Sequence, residues 1–240
     1  MAIYLYGRNA VRSSLINQKV HKLYIHTNFR DQDILKLAKE AGIAVDICEN
    51  NQLNSLTNQG KHQGVVALID DFSYTSLTDL IAYSKTKHKP FILILAGIED
   101  PHNLGAIART VDAFNIDGII IPKDRSVDVT PAALKVATGA FDYVRVSQVT
   151  NLNQSLNTLK DAGFWIVSAD GSATQDYLDL DYEFPLALVI GSEGKGIPSL
   201  VLKNSDFRVK IPMNGHVNSL NASVATAVLI AGVIYKRNKI

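Results

Sequence analysis

Between Phe91 and Ile211 the chain alternates short, near-continuously apolar runs with helical segments, and this alternation constrains its fold more than anything else in the sequence. The runs are "FILILAG", "GIIIP", "YVRVS", "WIVSA", "LALVIG" and "FRVKI". Helical patterns separate them at Leu104–Phe114, Pro131–Thr138 and Leu152–Ala162, and a long one closes the chain from Leu220 to about Lys236. A strand with one wet face would alternate apolar and polar residues. Runs apolar at successive positions are buried on both faces, which predicts an α/β domain with a mostly parallel sheet covered by helices on both sides. In such a doubly wound sheet ligands bind at the carboxyl ends of the strands.

The first ninety residues read differently. "KLYIH", "AVDI" and "GVVALI" have the length and β-branched content of strands. "DQDILKLAKEAG" places Ile34, Leu35, Ala38 and Ala41 on one helical face and stops at Gly42. The expected organisation is therefore a small α/β domain over 1–70, a linker with one helix over 71–90, and the larger domain over 91–240. The 240 residues carry 24 Lys and Arg against 23 Asp and Glu, a net charge of +1 that neither demands nor excludes a nucleic-acid partner. A lone cysteine, Cys48, excludes an internal disulfide and a CxxC metal pair. Arg8 and Arg12 interrupt the opening stretch where a signal peptide needs an apolar run, and "ATAVLIAGVIY" is too short to span a bilayer. The expectation is a soluble cytoplasmic protein with neither membrane nor metal as a partner.

Three loops follow strands of the larger domain and can converge on one site. In "GIEDPHNLGAIARTVDAF", Asn103 is expected to cap a helix, and Arg109 falls off its apolar face, either solvated or functional. "VIGSEGKGI" looks like a phosphate loop, but only two residues separate Gly191 from Gly194. Gly196 also stands where a Walker loop needs Ser or Thr. Its glycines permit unusual φ and close backbone approach to another group. In "IPMNGHVNSLNASVATAVLIAGVIYKR", Ser219 and Asn221 open a helix apolar nearly all round, either as caps or as ligand contacts. Such a helix is buried by its own domain or by a second subunit. "SADGSA", with Gly171, is either a plain turn or a further wall of the same site.

Taken together, "EDPHNLGAIART", "VIGSEGKGI" and "IPMNGHVNSLNASVA" resemble, in order, the three motifs of the SPOUT methyltransferases. The match is specifically to the TrmH-like (SpoU) 2′-O-ribose RNA methyltransferases. "YGRNAV" and "HQGVVAL" are similar to the L30e-like RNA substrate-binding domain of the RlmB branch. The resemblance implies S-adenosyl-L-methionine as cofactor, a C-terminal trefoil knot, and a homodimer through the knot and last helix. It places Asn103, Arg109, Glu193, Ser219 and Asn221 at catalytic positions. Gly191, Ile211 and Leu220 fall where the family lines its cofactor, with Gly171, Val189, Gly194 and Met213 expected beside them.

The implied reaction moves a methyl from a sulfonium to a ribose 2′-hydroxyl, so the hydroxyl must lose its proton and be aligned. Arg109 is either an unusual base or an electrostatic stabiliser, because a guanidinium normally keeps its proton. Arg8, Arg12 and Lys61 are the expected RNA contacts, and the resemblance implies a guanosine of large-subunit (23S) ribosomal RNA as the target. The competing readings are a tRNA 2′-O-methyltransferase and a non-catalytic ribosome-assembly factor.

Overall fold

The computed structural model describes residues 2–238; residues 1 and 239–240, which the expected domain limits include, lie outside them. In chain order the first elements are β1 (Ala2–Tyr6), α1 (Arg8–Ile16), β2 (Val20–His26), α2 (Gln32–Glu40), β3 (Ala44–Cys48), α3 (Asn50–Leu56) and β4 (Val65–Asp70). There follow α4 (Leu77–Lys85), β5 (Phe91–Ala96), α5 (Pro101–Ala113), β6 (Gly118–Pro122), α6 (Pro131–Ala137) and β7 (Val146–Val149). The last are α7 (Leu152–Asp161), β8 (Trp165–Ala169), β9 (Gln175–Asp176), β10 (Leu186–Gly191), α8 (Ser199–Lys203), β11 (Phe207–Lys210) and α9 (Ala222–Asn238).

Two compact units result. The first runs to Ser73 and takes in Val129–Tyr143, a segment that by sequence order belongs to the larger domain. Its sheet has the order β1-β4-β2-β3, with β4 antiparallel to both neighbours and β3 parallel to β2. Strand β1 was not expected: "AIYLY" buries only Leu5, and its tyrosines hide the pattern. The Asp31 side chain accepts from Ile34 N–H and starts α2, whose Ile34 and Ala38 enter a core with Val11, Leu23, Val65 and Ala67. Leu134 of α6 packs on the same core, and Asp142 beyond it accepts from Asn17 and Lys19.

His62 is buried in this unit. Its Nδ1 accepts from Gly64 N–H at 3.0 Å, and its Nε2 faces Asn54 Oδ1 at 3.1 Å. Burial, then the His26 and Lys135 charges, hold its pKa below the usual 6.5. Below about pH 6.5 the unfolded chain therefore binds a proton that the folded unit refuses, and stability falls with acidification. We expect the melting temperature to drop between about pH 6.5 and 5, and a His62→Gln variant to show a shallower drop in the same scan.

The second unit is Tyr74–Asp128 together with Val144 onward. All its strands are parallel, in the order β7-β6-β5-β10-β8-β11-β9. The expected parallel α/β sheet is thus present. The run "YVRVS" is displaced: pairing with β6 begins only at Val146, because Tyr143 still belongs to the turn that closes Ala140–Asp142. Helix α4, expected in a linker, packs Leu80 and Ile81 into the core of this unit. On one face Ile92, Ile94, Ile166, Ala187 and Val189 meet α4, α7 and α8. Alternation turns Leu93, Leu95, Leu188 and Ile190 to the other face, where α5 and α9 pack on each other and against β6 and β10. Among the described residues no helix is long and apolar enough to cross a membrane, and no cluster of His, Cys, Asp and Glu could hold a metal ion.

Candidate functional site

Strands β5, β10 and β8 end level with one another: Gly191 pairs with Ala96 and Ile190 with Ala169. Here the chain order reverses across the sheet, since β6 and β7 lie on one side of β5 while β10 and β8 lie on the other. The loops leaving these strands share a rim.

The loop after β5 leads into α5. Asp100 caps this helix, not Asn103 as expected: its carboxylate accepts from His102 N–H at 2.9 Å, and Pro101 occupies the first helical position. Proline's fixed φ and missing N–H suit that position, and this moves the helix start three residues earlier. The His102 N–H bond is also the largest cause holding the Asp100 carboxyl below its ordinary range. Asn103 is left in the first turn with its amide free to face the neighbouring loops.

The loop after β10 turns back on itself. Ser192 and Gly196 exchange backbone bonds of 3.2 and 3.0 Å. A Cβ on Gly191 would fall 2.6 Å from Ile197 N, so this glycine is required by the loop's own return strand. The turn pushes Glu193, Gly194 and Lys195 out at its tip.

Glu193 ties the three loops together. Its Oε1 accepts from Asn103 Nδ2 at 3.1 Å, Asn221 Nδ2 at 2.6 Å and Ala222 N–H at 2.9 Å. The last bond satisfies one of the free N–H groups at the start of α9, where a negative charge is also favoured by the helix dipole. Asn221 Nδ2 further donates to Asn103 Oδ1 at 3.0 Å, and Asn221 Oδ1 caps α9 by accepting from Ser223 N–H at 3.0 Å.

Two clefts meet at Glu193. The first, of about 220 Å³, is lined by Gly171, Ile190, Gly191, Ile211, Met213 and Leu220 among others. Five of the seven expected cofactor residues are on its wall, as is Ser219. Its mixture of apolar walls with loop backbone groups suits a flat heteroaromatic ring carrying polar arms. Val189 is not on it, because strand alternation buries that side chain completely on the opposite face of the sheet. Asp170 and Asn218 line the cleft without having been singled out, although both lie inside quoted loops.

The second cleft, of about 280 Å³, is lined by Glu99, Asp100, Asn103, Glu193, Gly194 and Lys195 with neighbouring backbone. Gly194 therefore borders this cleft and not the first. Arg109 lines neither. Six residues beyond Asn103, it stands roughly 9 Å along α5 and about 120° around it, exposed.

Known proteins resemble this chain in sequence and in fold. Residues 90–231 match the SpoU rRNA Methylase family, and residues 4–75 match the RNA 2′-O ribose methyltransferase substrate-binding family. YacO of Bacillus subtilis, named as a TrmH family tRNA/rRNA methyltransferase, is 44% identical over 99% of this chain and 97% of its own length. A protein of the same description from Staphylococcus haemolyticus is 43% identical over 99% of this chain and 97% of its own. The structure of the SpoU methyltransferase AviRb from Streptomyces viridochromogenes shares the fold, with a TM-score of 0.82 over 99% of this chain and 90% of that one at 20% identity. So does the AdoMet-bound rRNA methyltransferase of Sinorhizobium meliloti, with a TM-score of 0.77 over 98% and 88% at 22% identity. With its fold, its three converging loops and these relatives, the chain belongs to the SpoU rRNA methylase family of RNA methyltransferases.

Proposed function

We propose that this protein transfers the methyl group of S-adenosylmethionine to a ribose 2′-hydroxyl of RNA, with a guanosine of 23S ribosomal RNA as target. The observation that carries the reading is the Glu193 carboxylate, which holds Asn103, Asn221 and the start of α9 around two adjoining clefts. When bound, S-adenosylmethionine supplies a methyl already activated on a sulfonium. The first cleft is the pocket for it: Ile190, Ile211, Met213 and Leu220 flank the adenine, and the loops carrying Gly171 and Gly191 give backbone groups to its polar parts. The second cleft takes the ribose. Asn103 and Asn221 orient the acceptor hydroxyl, Ser219 and Glu193 hold the loops in register, and Arg109, outside both clefts, binds a neighbouring phosphate and so aligns the ribose. The C-terminal trefoil knot belongs to the same reading. So does a homodimer, which Val224, Val228, Ala231 and Tyr235 support as an apolar stripe at helical spacing along α9, with Val224 48% and Tyr235 55% exposed.

Labelled S-adenosylmethionine, unmodified 23S rRNA transcript and unmodified tRNA test the reading, with ribose methylation mapped to the nucleotide. The expected product is a 2′-O-methylguanosine in 23S rRNA. Label in tRNA alone would overturn the target, and label in neither RNA would leave an assembly factor.

Removing the carboxylate should show in turnover. In Glu193→Ala three bonds vanish and the loops lose register, so kcat/KM should fall about 10²-fold. Glu193→Gln keeps the Oε1 acceptor and should stay within about tenfold of the parent. Equal losses in the two variants would assign the effect to the charge, not to loop geometry.

A further inference from the structure

In the first unit, Lys135 has no acid within ion-pair distance among the described residues. Lys135 stands on α6, which packs against β1 and α1. Its stem crosses space that Gly7 keeps open, since a Cβ built on Gly7 would lie 3.1 Å from Lys135 Cε. Gly7 also has φ of 96°, a left-handed conformation, so two separate demands call for glycine there. The Tyr6 ring is seated by the same device: a Cβ on Gly60 would fall 2.6 Å from Tyr6 Cζ. The Lys135 ammonium comes to rest 4.8 Å from the Tyr6 ring centroid and donates to the Lys61 carbonyl at 2.7 Å. The motifs "YGR" and "GKHQG" thus build a seat for a lysine 74 positions beyond Lys61.

That seat gathers positive charge. Gln63 Oε1, 3.3 Å from the same Gly7 Cβ position, accepts from the Arg8 backbone N–H at 2.9 Å, which ties the start of α1 to the "GKHQG" loop. The Arg8 guanidinium lies 5.5 Å from the Phe29 ring centroid. Among the described residues no carboxylate lies within 4.0 Å of Lys135, Lys61 or Arg8. Burial, and after it the Lys61 charge, hold the Lys135 ammonium below the usual lysine range. Arg12, Lys19, Lys22 and Lys36 have acids of their own, while Arg30 bonds to backbone carbonyls and Lys39 pairs with no acid among the described residues. Arg12, expected to contact RNA, instead binds Asp31 at 3.5 Å and Asp33 at 3.3 Å, while Lys22 binds Asp46 at 2.7 Å. A partly desolvated ammonium beside a second one is unfavourable until an anion arrives.

We propose that Lys135, together with Lys61 and Arg8, forms a contact site for the phosphate backbone of the RNA substrate. The proposal rests on the methyl-transfer reading above for the identity of the anion. It assigns to α6 a part in substrate binding, and it withdraws Arg12 from that surface. The aromatic rings beneath Lys135 and Arg8 hold the two cations in place while their outer faces stay open to phosphate oxygens.

Filter binding of unmodified 23S rRNA transcript, at potassium chloride from about 50 to 300 mM, tests it. Lys135→Met keeps the stem against Gly7 and Tyr6 and removes only the charge. Lys135→Met and Lys61→Met should each weaken binding about three- to tenfold, and each should flatten the slope of log K against log salt by about 0.7–0.9. Lys135→Arg should restore both. Lys36→Met, on α2, should leave the slope unchanged, and titration of Lys135→Met with S-adenosylmethionine should match the parent. A parental slope and affinity in Lys135→Met, or an equal loss in Lys36→Met, overturns the site. These readouts need no turnover. A parent that binds RNA without methylating it would therefore sink the methyl-transfer reading alone, and a parent that binds no RNA would sink this site as well.

Discussion

Arg109→Ala is expected to lower kcat for RNA methylation by about 10²–10³-fold while S-adenosylmethionine affinity stays within about twofold. The geometry separates the two effects. Helix α5 buries Leu104, Ile107, Ala108 and Val111, and Arg109 faces away from that side, on the wall of neither cleft. Among the described residues its side chain makes no hydrogen bond or ion pair, so truncating it removes nothing from the fold or from the methyl-donor cleft. What disappears is a guanidinium with its whole fork available to a phosphate that positions the RNA. Arg109→Lys sharpens the test: an ammonium restores charge but not the planar pair of donors, so activity should recover only in part. Single-turnover rates and calorimetry on the two variants measure both quantities. Parental turnover in Arg109→Ala would remove this residue from the reaction altogether.

The second large effect concerns stability. Arg237→Met is expected to destabilise the protein by about 3 kcal/mol, read from the urea midpoint. Arg237 is 4% exposed near the end of α9, and its guanidinium donates to the carbonyls of Tyr182 at 3.0 Å, Lys89 at 2.9 Å, Pro90 at 3.2 Å and Phe184 at 2.7 Å. Burial pushes its pKa down to about 10, which still leaves it a cation at neutral pH. Methionine removes the desolvation cost along with the bonds, so the loss is set by the carbonyls left behind. Pro90 O keeps a second partner in Leu186 N–H. The other three would be orphaned at about 1–3 kcal/mol for each that water cannot reach. Lysine offers one point of charge to carbonyls converging from several sides and should rescue little. Helix α9 is thus pinned at both ends, by Arg237 at one and by Glu193 on Ala222 N–H at the other. A midpoint shifted by less than about 1 kcal/mol would mean that the carbonyls find water.

Much of this protein is legible along the chain. "FILILA" and "LALVI" are apolar at every position, and only a strand covered on both faces needs that, so the parallel sheet follows from burial alone. The loops bearing Asn103, Glu193 and Asn221 come straight after strands, and in such a sheet those strands must end on the same side. Short elements were less visible. β1, α3 and α8 each bury a single residue, Leu5, Leu53 and Val201, and β9 has only two residues, so none shows an apolar period.

The tertiary structure decided the rest, for reasons no single segment contains. That Glu193 accepts from two asparagines and a helix N–H depends on β5 and β10 ending level with β11, which β8 holds in register by pairing Ala169 with both Ile190 and Val209, and this is a property of the sheet. Val189 and Ile190 look alike in sequence, yet one faces α7 and α8 while the other borders the cleft, because pairing sets the phase of alternation. Only the neighbours show which cations are paired: acids from α2 and its cap bind Arg12, while Lys135, to which the sequence reading gave no role, meets no acid among the described residues. The order of residues dictates which backbone forms where, since periodicity and capping act over a few positions. Which charges are satisfied, and which are left to meet a ligand, is settled only by groups that come together across the fold.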